Sequence, residues 1–348
     1  MISDIASAFT RIYRDKRSGR SYGICPFCKS TTPTFFMDDK VGTFCCYACG
    51  KHGTEQDLRS ALTPKRQQPI KQVSSNMDPT LAEINEKAAG YYYSSLTQTR
   101  NAGAEYLKRR GLTRDVVDMF GLGFAPAKPT LSVELSKRYP KDVLLKSGLF
   151  KETEEGGIRD FFRNRVMFPI MNEAGDVIAF GGRTLYDDVK PKYMNSPETD
   201  AFSKRKNLYG FPYHLAERSD AIIICEGYMD LIALQSHGFE DSAAVLGTAL
   251  TKEHVQIISS YYKKVYLSLD SDQAGIHAAK RSIAELVNAG VEVSVLSFTP
   301  AKDPDEFIRR FGAEAFQQNT QKSISAKKFI ARHCNDISEL VNLLKELD

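Results

Sequence analysis

No stretch of this 348-residue chain stays apolar for the length a membrane span needs, so a transmembrane helix is not expected. The N-terminus, MISDIASAFTRIYRDKR, lacks an apolar core ahead of a cleavage site, which excludes a signal peptide. Internal repeats and low-complexity tracts are absent, which excludes a repeat architecture. His214, His237, His254, His277 and His333 fall at no metal-ligand spacing and read as ordinary side chains. Cysteine is scarce outside one window: five of the seven lie within residues 25–49. That clustering excludes a spread disulfide framework and points to a metal site in a reducing, cytoplasmic setting.

What is present suits two or three domains, with 42% hydrophobic residues to build their cores. Charge is uneven along the chain. Residues 1–76 hold twelve Lys/Arg against six Asp/Glu, whereas residues 221–348 hold thirteen against seventeen. A basic front and an acidic back suit a protein that grips nucleic acid with one part and metal with another. Cys25-Pro-Phe-Cys28 and Cys46-Tyr-Ala-Cys49 are two CxxC pairs with seventeen residues between them. Each tight turn offers two sulfurs, and together they supply the four tetrahedral ligands that Zn²⁺ prefers. Cys45 is left out because Cys46 preserves the CxxC spacing, and His52 reads as a turn residue of GKHG. Arg11, Arg14, Lys16, Arg17 and Arg20 lie near Tyr13, Tyr22 and Phe27, a mixture of cations and rings that suits a single nucleic-acid strand. Residues 61–79 are polar, contain three prolines and read as a linker.

Helical patterns are expected at Leu81–Leu96 and Ala102–Arg110, and paired strands within 158–183. From Ala221 onward the pattern alternates. The apolar runs Ala221–Cys225, Val265–Leu269 and Val291–Phe298 read as strands separated by helical stretches, which implies a parallel sheet. Each run is followed by acids: Glu226 in EGYMD with Asp230 one turn on, Asp270 and Asp272 in DSD, and Asp303 and Asp305 in KDPDE. In such sheets the functional crevice lies outside the carboxyl ends of the strands, so these carboxylates share one rim and are read as Mg²⁺ ligands. Gly227 is read as the residue that lets the chain bend from strand into helix. Arg163, Arg165, Arg183, Lys192 and Lys204 form a cationic segment ahead of the rim. Arg163 and Arg165 are expected on one face of a strand, with two glycines before Arg183 that let a ligand approach the backbone.

These motifs resemble those of bacterial-type DNA primases, the DnaG type, over nearly the whole chain. CPFC and CYACGKHG are similar to that family's zinc-binding domain. GLGFAP (121–126), FRNRVMFPI (162–170), FGGR (180–183), PKYMNSPET (191–199) and NLYG (207–210) are similar to its polymerase core. EGYMD, LGTALT (246–251), DSDQAG and KDPDEFIRR resemble its Toprim module, the metal-binding fold shared with topoisomerases. The resemblance implies an α/β multidomain chain: zinc-ribbon domain 1–60, linker 61–79, mixed α+β primase core 80–219, Rossmann-like parallel Toprim module 220–300 and helical tail 301–348. It implies synthesis of RNA primers on single-stranded DNA from ribonucleoside triphosphates. Glu226, Asp230, Asp270 and Asp272 would be catalytic, with Asp303 and Asp305 as further Mg²⁺ ligands. Mn²⁺ would substitute for Mg²⁺, and Arg163, Arg165, Arg183, Lys192 and Lys204 would hold phosphates.

The chain departs from the family pattern in three places. Cys28 stands where the family has His, Ser271 where it has Gly, and Ser203-Lys204-Arg205 where it has His-Lys-Gly. The sequence stops about forty residues after KDPDE without a helicase-binding domain, which gives the expectation of a short, phage-type primase with its helicase contact absent or built differently. Two other readings stay open: a Toprim nuclease or topoisomerase-like enzyme, and a non-catalytic DNA-binding accessory of a helicase.

The cysteine spacing carries its own test. Elemental analysis of freshly purified protein should give one Zn²⁺ per chain, lost in Cys46→Ser or Cys49→Ser and retained in Cys45→Ser. Protein isolated without zinc would overturn the assignment.

Overall fold

The computed structural model describes residues 2–7, 12–15, 20–27, 34–47, 51–62, 77–98, 100–186, 188–213, 218–247, 249–269 and 273–333. The chain divides into two compact units, Met1–Lys71 and Gln72–Asp348. The expected linker, 61–79, falls mostly outside the described residues.

The first unit contains helix α1 (Ile2–Ser7), strands β1 (Ile12–Asp15), β2 (Arg20–Gly23), β3 (Phe35–Asp38), β4 (Thr43–Cys46) and β5 (His52–Thr54), and helix α2 (Glu55–Leu62). The strands form an antiparallel meander in sequence order. Side chains alternate across it, as a pleated sheet requires. Phe35, Met37, Phe44 and Cys46 point inward and pack with Ile2, Ala6, Cys25 and Leu58. Among the described residues this cluster holds eight buried side chains, a small core for a folded unit and the situation in which a structural metal supplies stability.

The second unit opens with α3 (Pro79–Thr97), capped by the Asp78 carboxylate with Pro79 at its first position, and α4 (Ala102–Arg109), capped by Asn101. Then come α5 (Arg114–Met119), β6 (Gly123–Ala125), α6 (Leu131–Leu135), α7 (Lys141–Lys146) and the hairpin β7 (Phe150–Glu152) with β8 (Ile158–Asp160). Strands β9 (Arg165–Met171), β10 (Val177–Thr184) and β11 (Tyr193–Asn195) join β6 in an antiparallel sheet of order β11-β10-β9-β6. Both faces of β9 are buried. Met167 packs with Ile84, Ala88 and Tyr92 of α3. Val166, Phe168 and Ile170 lie in the same core as Tyr228, Met229 and Ile232.

Those last three residues belong to α8 (Tyr228–Ser236), the first helix of the parallel module. It lies between β12 (Ala221–Cys225) and β13 (Ser242–Ala244). The module continues with α9 (Lys252–Tyr261), β14 (Lys264–Ser268), α10 (Gln273–Asn288), β15 (Glu292–Val295), α11 (Pro304–Gln321), β16 (Ile324–Ser325) and α12 (Ala326–His333). The sheet order is β13-β12-β14-β15-β16, parallel except for the β15–β16 pair. Strand order reverses at β12, whose neighbours β13 and β14 come later in the chain on opposite sides. A crevice is expected at its carboxyl end.

The parallel sheet is as the apolar runs implied, except that the last strand is shorter than Val291–Phe298 and the edge strand β13 carried no strong signal. Among the described residues no helix is long and apolar enough to cross a membrane.

The glycines of FGGR serve packing. A Cβ on Gly181 would lie 2.3 Å from the Tyr228 ring, and one on Gly182 would lie 2.7 Å from Phe162. The space read as access for a ligand is filled by two rings. Gly181→Ala should therefore destabilise the second unit by about 3 kcal/mol in urea unfolding. Gly90→Ala, inside α3 with nothing within 4 Å, should stabilise it by about 1 kcal/mol.

His254 is buried at the start of α9 and ties that helix to the 203–207 loop. Its Nε2 donates to the Asn207 carbonyl at 3.2 Å, and Nδ1 accepts the Thr251 N–H at 3.4 Å. Burial, aided by the Arg205 charge and opposed by the Asn207 and Lys204 backbone and Glu253, holds the imidazole below its ordinary value of 6.5. The folded state therefore binds fewer protons at this site than the unfolded chain does. Its contribution to stability is complete above pH 6.5 and is lost as pH falls toward the lowered value. Urea midpoints for wild type and His254→Gln should converge as pH is lowered through that window.

Candidate active site: a charged cleft at the end of the parallel sheet

Glu226 follows the last residue of β12, and Asp230 lies four residues on, in the first turn of α8. Gly227 between them has φ −124°, an extended conformation open to any residue. A Cβ there would stand 2.9 Å from Asp230 Oδ2, the movable end of that side chain, so an added carbon would crowd the carboxylate and not the backbone. Both carboxylates line a cleft of about 670 Å³, together with Asp303, Asp305, Lys192, Lys204, Arg110 and Arg309. Leu269 and Gly275, which flank the 270–272 segment, also line it, while Asp270 and Asp272 lie outside the described residues.

Four of the described acids thus share one cleft, in different environments. Glu226, Asp230 and Asp303 are half-buried. Asp303 caps α11, accepting the Glu306 N–H at 2.7 Å. The KDPDE motif is therefore in part a helix start, with proline at the first helical position. Asp305 is buried, and its Oδ2 is paired with Arg110 and, at 3.1 Å, with Arg309. Its backbone N–H donates to Asp230 Oδ1 at 3.4 Å.

The basic residues separate more sharply. Lys192 and Lys204 line the cleft, and the Lys204 N–H donates to Glu198 Oε1 at 3.0 Å. Arg165 was expected to face a ligand. Instead it is buried and donates to the carbonyls of Gly182, Pro191 and Lys192 at 3.1–3.2 Å. The Lys192 carbonyl also accepts the Thr184 N–H at 3.0 Å, so the guanidinium adds to the backbone pairing at this end of the sheet. Arg183 is buried too, stacked on the Tyr106 ring at 4.1 Å and donating to the Thr184 carbonyl at 2.6 Å. Arg163 precedes β9 and is exposed, donating to the Ala127 carbonyl at 3.1 Å. Asn164 between Arg163 and Arg165 has φ +52°, so the strand alternation expected of the two arginines does not hold.

Sequence reasoning missed Arg110 and Arg309. Arg110 closes the basic stretch KRR at the end of α4, where cations commonly face the helix dipole, so it carried no separate signal. Its partner Asp305 lies 195 residues away. Cys225 is wholly buried, and burial pushes its thiol well up, as befits a core residue.

In the first unit, Cys25 and Cys46 are wholly buried in one cluster, whereas Cys45 on the opposite face of β4 is partly exposed. Cys28 and Cys49 lie outside the described residues. Two soft thiols inside a small core fit Zn²⁺, and the cleft's carboxylate oxygens fit Mg²⁺. Among the described residues no three His, Cys, Asp or Glu side chains form a complete metal cage. Outside the core, Tyr13 stacks on Tyr22 at 5.5 Å, Tyr22 on Phe36 at 6.1 Å, and Phe36 meets Tyr47 at 5.2 Å. This exposed ring ladder crosses the sheet. Phe27, read as part of that surface, packs with Phe35 and Phe44 instead. Arg14 pairs with Asp4, and Arg11, Lys16 and Arg17 lie outside the described residues.

Three family models match in succession: a CHC2 zinc finger over residues 2–73, the N-terminal domain of the DNA primase catalytic core over 91–214, and a Toprim-like domain over 223–308. The zinc finger takes Zn²⁺ and the Toprim domain Mg²⁺. The chain is 35% identical to a DNA primase of Clostridium acetobutylicum across 98% of its own length and 60% of that protein's. It thus spans about 60% of the length of the curated relatives it matches. These relatives are bacterial and give no support to a phage source.

Among solved structures, a DNA primase domain from Pseudomonas aeruginosa is 34% identical with a TM-score of 0.68, covering 77% of this chain and 90% of that one. A DnaG primase catalytic domain bound to ssDNA is 33% identical with a TM-score of 0.67, covering 73% and 81%. With zinc finger, primase core and Toprim domain in one order, and with these relatives, the chain belongs to the DnaG-type DNA primase family.

Proposed function

We propose that this chain is a DNA primase, which makes short RNA primers on single-stranded DNA from ribonucleoside triphosphates in the cytoplasm. The observation that carries this reading is the single cleft in which Glu226 and Asp230 share space with Lys192, Lys204 and Arg110. A polymerase needs both signs there. Cations neutralise the triphosphate and the template backbone, and carboxylates hold the divalent ion. Glu226, Asp230, Asp270 and Asp272 would hold Mg²⁺, which when bound stabilises charge on the phosphoryl group under attack. Lys192, Lys204 and Arg110 would orient the triphosphate. Arg163, exposed and outside the cleft, would take a template phosphate. The zinc unit would meet the template through its ring ladder, since every base has a face to stack. A replicative helicase would be its partner in replication. The family relative solved with ssDNA supports the template assignment.

A topoisomerase-like reaction needs an accessible tyrosine nucleophile. The two tyrosines at this cleft fit poorly: burial pushes the phenols of Tyr193 and Tyr228 well up, and the Tyr228 hydroxyl already donates to Asn195 Oδ1 at 2.7 Å.

Primer synthesis on single-stranded DNA, with ribonucleotides and Mg²⁺, tests the reading. Glu226→Gln should lower the rate about a hundredfold or more, because the ion loses a charged ligand. Affinity for single-stranded DNA should stay unchanged or rise slightly. Lys204→Ala should instead weaken nucleotide or template binding and flatten the log–log salt dependence by about one unit. Cleavage of labelled DNA without nucleotides would favour a nuclease. Normal synthesis by Glu226→Gln would favour a non-catalytic accessory.

A further inference from the structure

Asp305 stands apart from the other acids of the cleft. Glu226, Asp230 and Asp303 are half-buried, but Asp305 is only 3% exposed. The same oxygen, Oδ2, accepts from both Arg110 and Arg309, the latter at 3.1 Å through Nε. A divalent ion on this carboxylate would be set against two guanidinium charges in a poorly solvated place, where like charges repel strongly. The oxygen that carries the arginines is already neutralised. The donor set at Asp305 therefore does not fit Mg²⁺ as the sets at Glu226 and Asp230 do.

The pair has another evident use. Arg110 caps the end of α4, ahead of the antiparallel sheet, while Asp305 lies in the first turn of α11, after the parallel strands β12 to β15. Their contact spans 195 residues and closes one wall of the cleft. Arg110 is part-exposed to the cleft through its side chain, and its Nε is buried with no partner. A long arginine at a helix end has many rotamers, and a buried carboxylate that grips one end of the guanidinium selects among them. Arg309, more exposed, reaches the same oxygen from one turn further along α11.

We propose that Asp305 is a positioning residue: it holds Arg110 across the cleft for a substrate phosphate and is not a ligand of the divalent ion. Only the nucleotide arm of the test rests on the primase reading.

Mn²⁺ binding to the full chain, followed by electron paramagnetic resonance without nucleotide or DNA, separates the two roles. Asp305→Asn and Asp305→Glu should each bind Mn²⁺ within twofold of wild type, while Glu226→Gln should bind at least tenfold more weakly. Either Asp305 variant suffices if the other does not fold. In primer synthesis, Asp305→Asn should raise the nucleotide KM about tenfold while leaving kcat and the Mg²⁺ midpoint unchanged. Added to Arg110→Ala, it should change KM less than twofold. Mn²⁺ binding weakened as in Glu226→Gln, a shifted Mg²⁺ midpoint, or an effect fully additive with Arg110→Ala would overturn the proposal. A wild-type chain that makes no primers would defeat the primase reading and leave the Mn²⁺ result standing.

Discussion

The second unit depends on one close approach: the ring of Tyr228 lies over Gly181, where a single added carbon would not fit. Tyr228 also stacks on Phe168 at 4.7 Å, and its hydroxyl donates to Asn195, the residue paired with Gly181 across β10 and β11. Asn195 then reaches the Leu246 carbonyl, beyond β13, at 3.1 Å. One aromatic side chain thus joins the antiparallel sheet to the first helix of the parallel module, and its neighbours extend the junction to the loop after β13. Tyr228 follows Glu226 by two residues, so the same docking that unites the cores places the leading carboxylate in the cleft between them.

The junction also explains the division of labour among the cations. Strands β9 to β11 sit between two apolar layers, so the backbone carbonyls near their ends need internal donors. Arg165 donates to three carbonyls, of which that of Lys192 also accepts the Thr184 N–H, and Arg183 lies against Tyr106. Buried guanidinium groups of this kind are structural cations. The cations that line the cleft are Lys192, Lys204, Lys302 and Arg309, together with Arg110 from a helix remote in sequence.

The zinc unit is built on a different balance. Its inner face holds a small aromatic core with two buried thiols, and its outer face displays rings instead of covering them. Rings left in solvent cost hydrophobic free energy unless they meet a partner. An extended row of them across one sheet suits a chain of stacking bases.

Much of this was legible beforehand. Strand Ala221–Cys225, the helical pattern at Leu81–Leu96, the paired strands within 158–183 and the acids that follow successive strands are all local patterns. Apolar runs, turn residues and caps report on neighbours a few positions away. The CxxC spacing singled out Cys46 over Cys45, and of the two it is Cys46 that is buried, alongside Cys25. Other features were decided only by tertiary structure. Arg165 and Arg183 look the same in sequence as Arg110, and whether a guanidinium meets a carbonyl, a ring or a cleft depends on what packs against it. The glycines of FGGR look like room for a ligand until Tyr228 and Phe162 fill it. Asp305 follows Asp303 by two residues, yet one caps a helix and the other is buried between two arginines. Local sequence determines which groups a segment carries and how its backbone runs. The long-range meeting of segments determines which charges remain free to act, since burial and a distant partner change what a side chain can do.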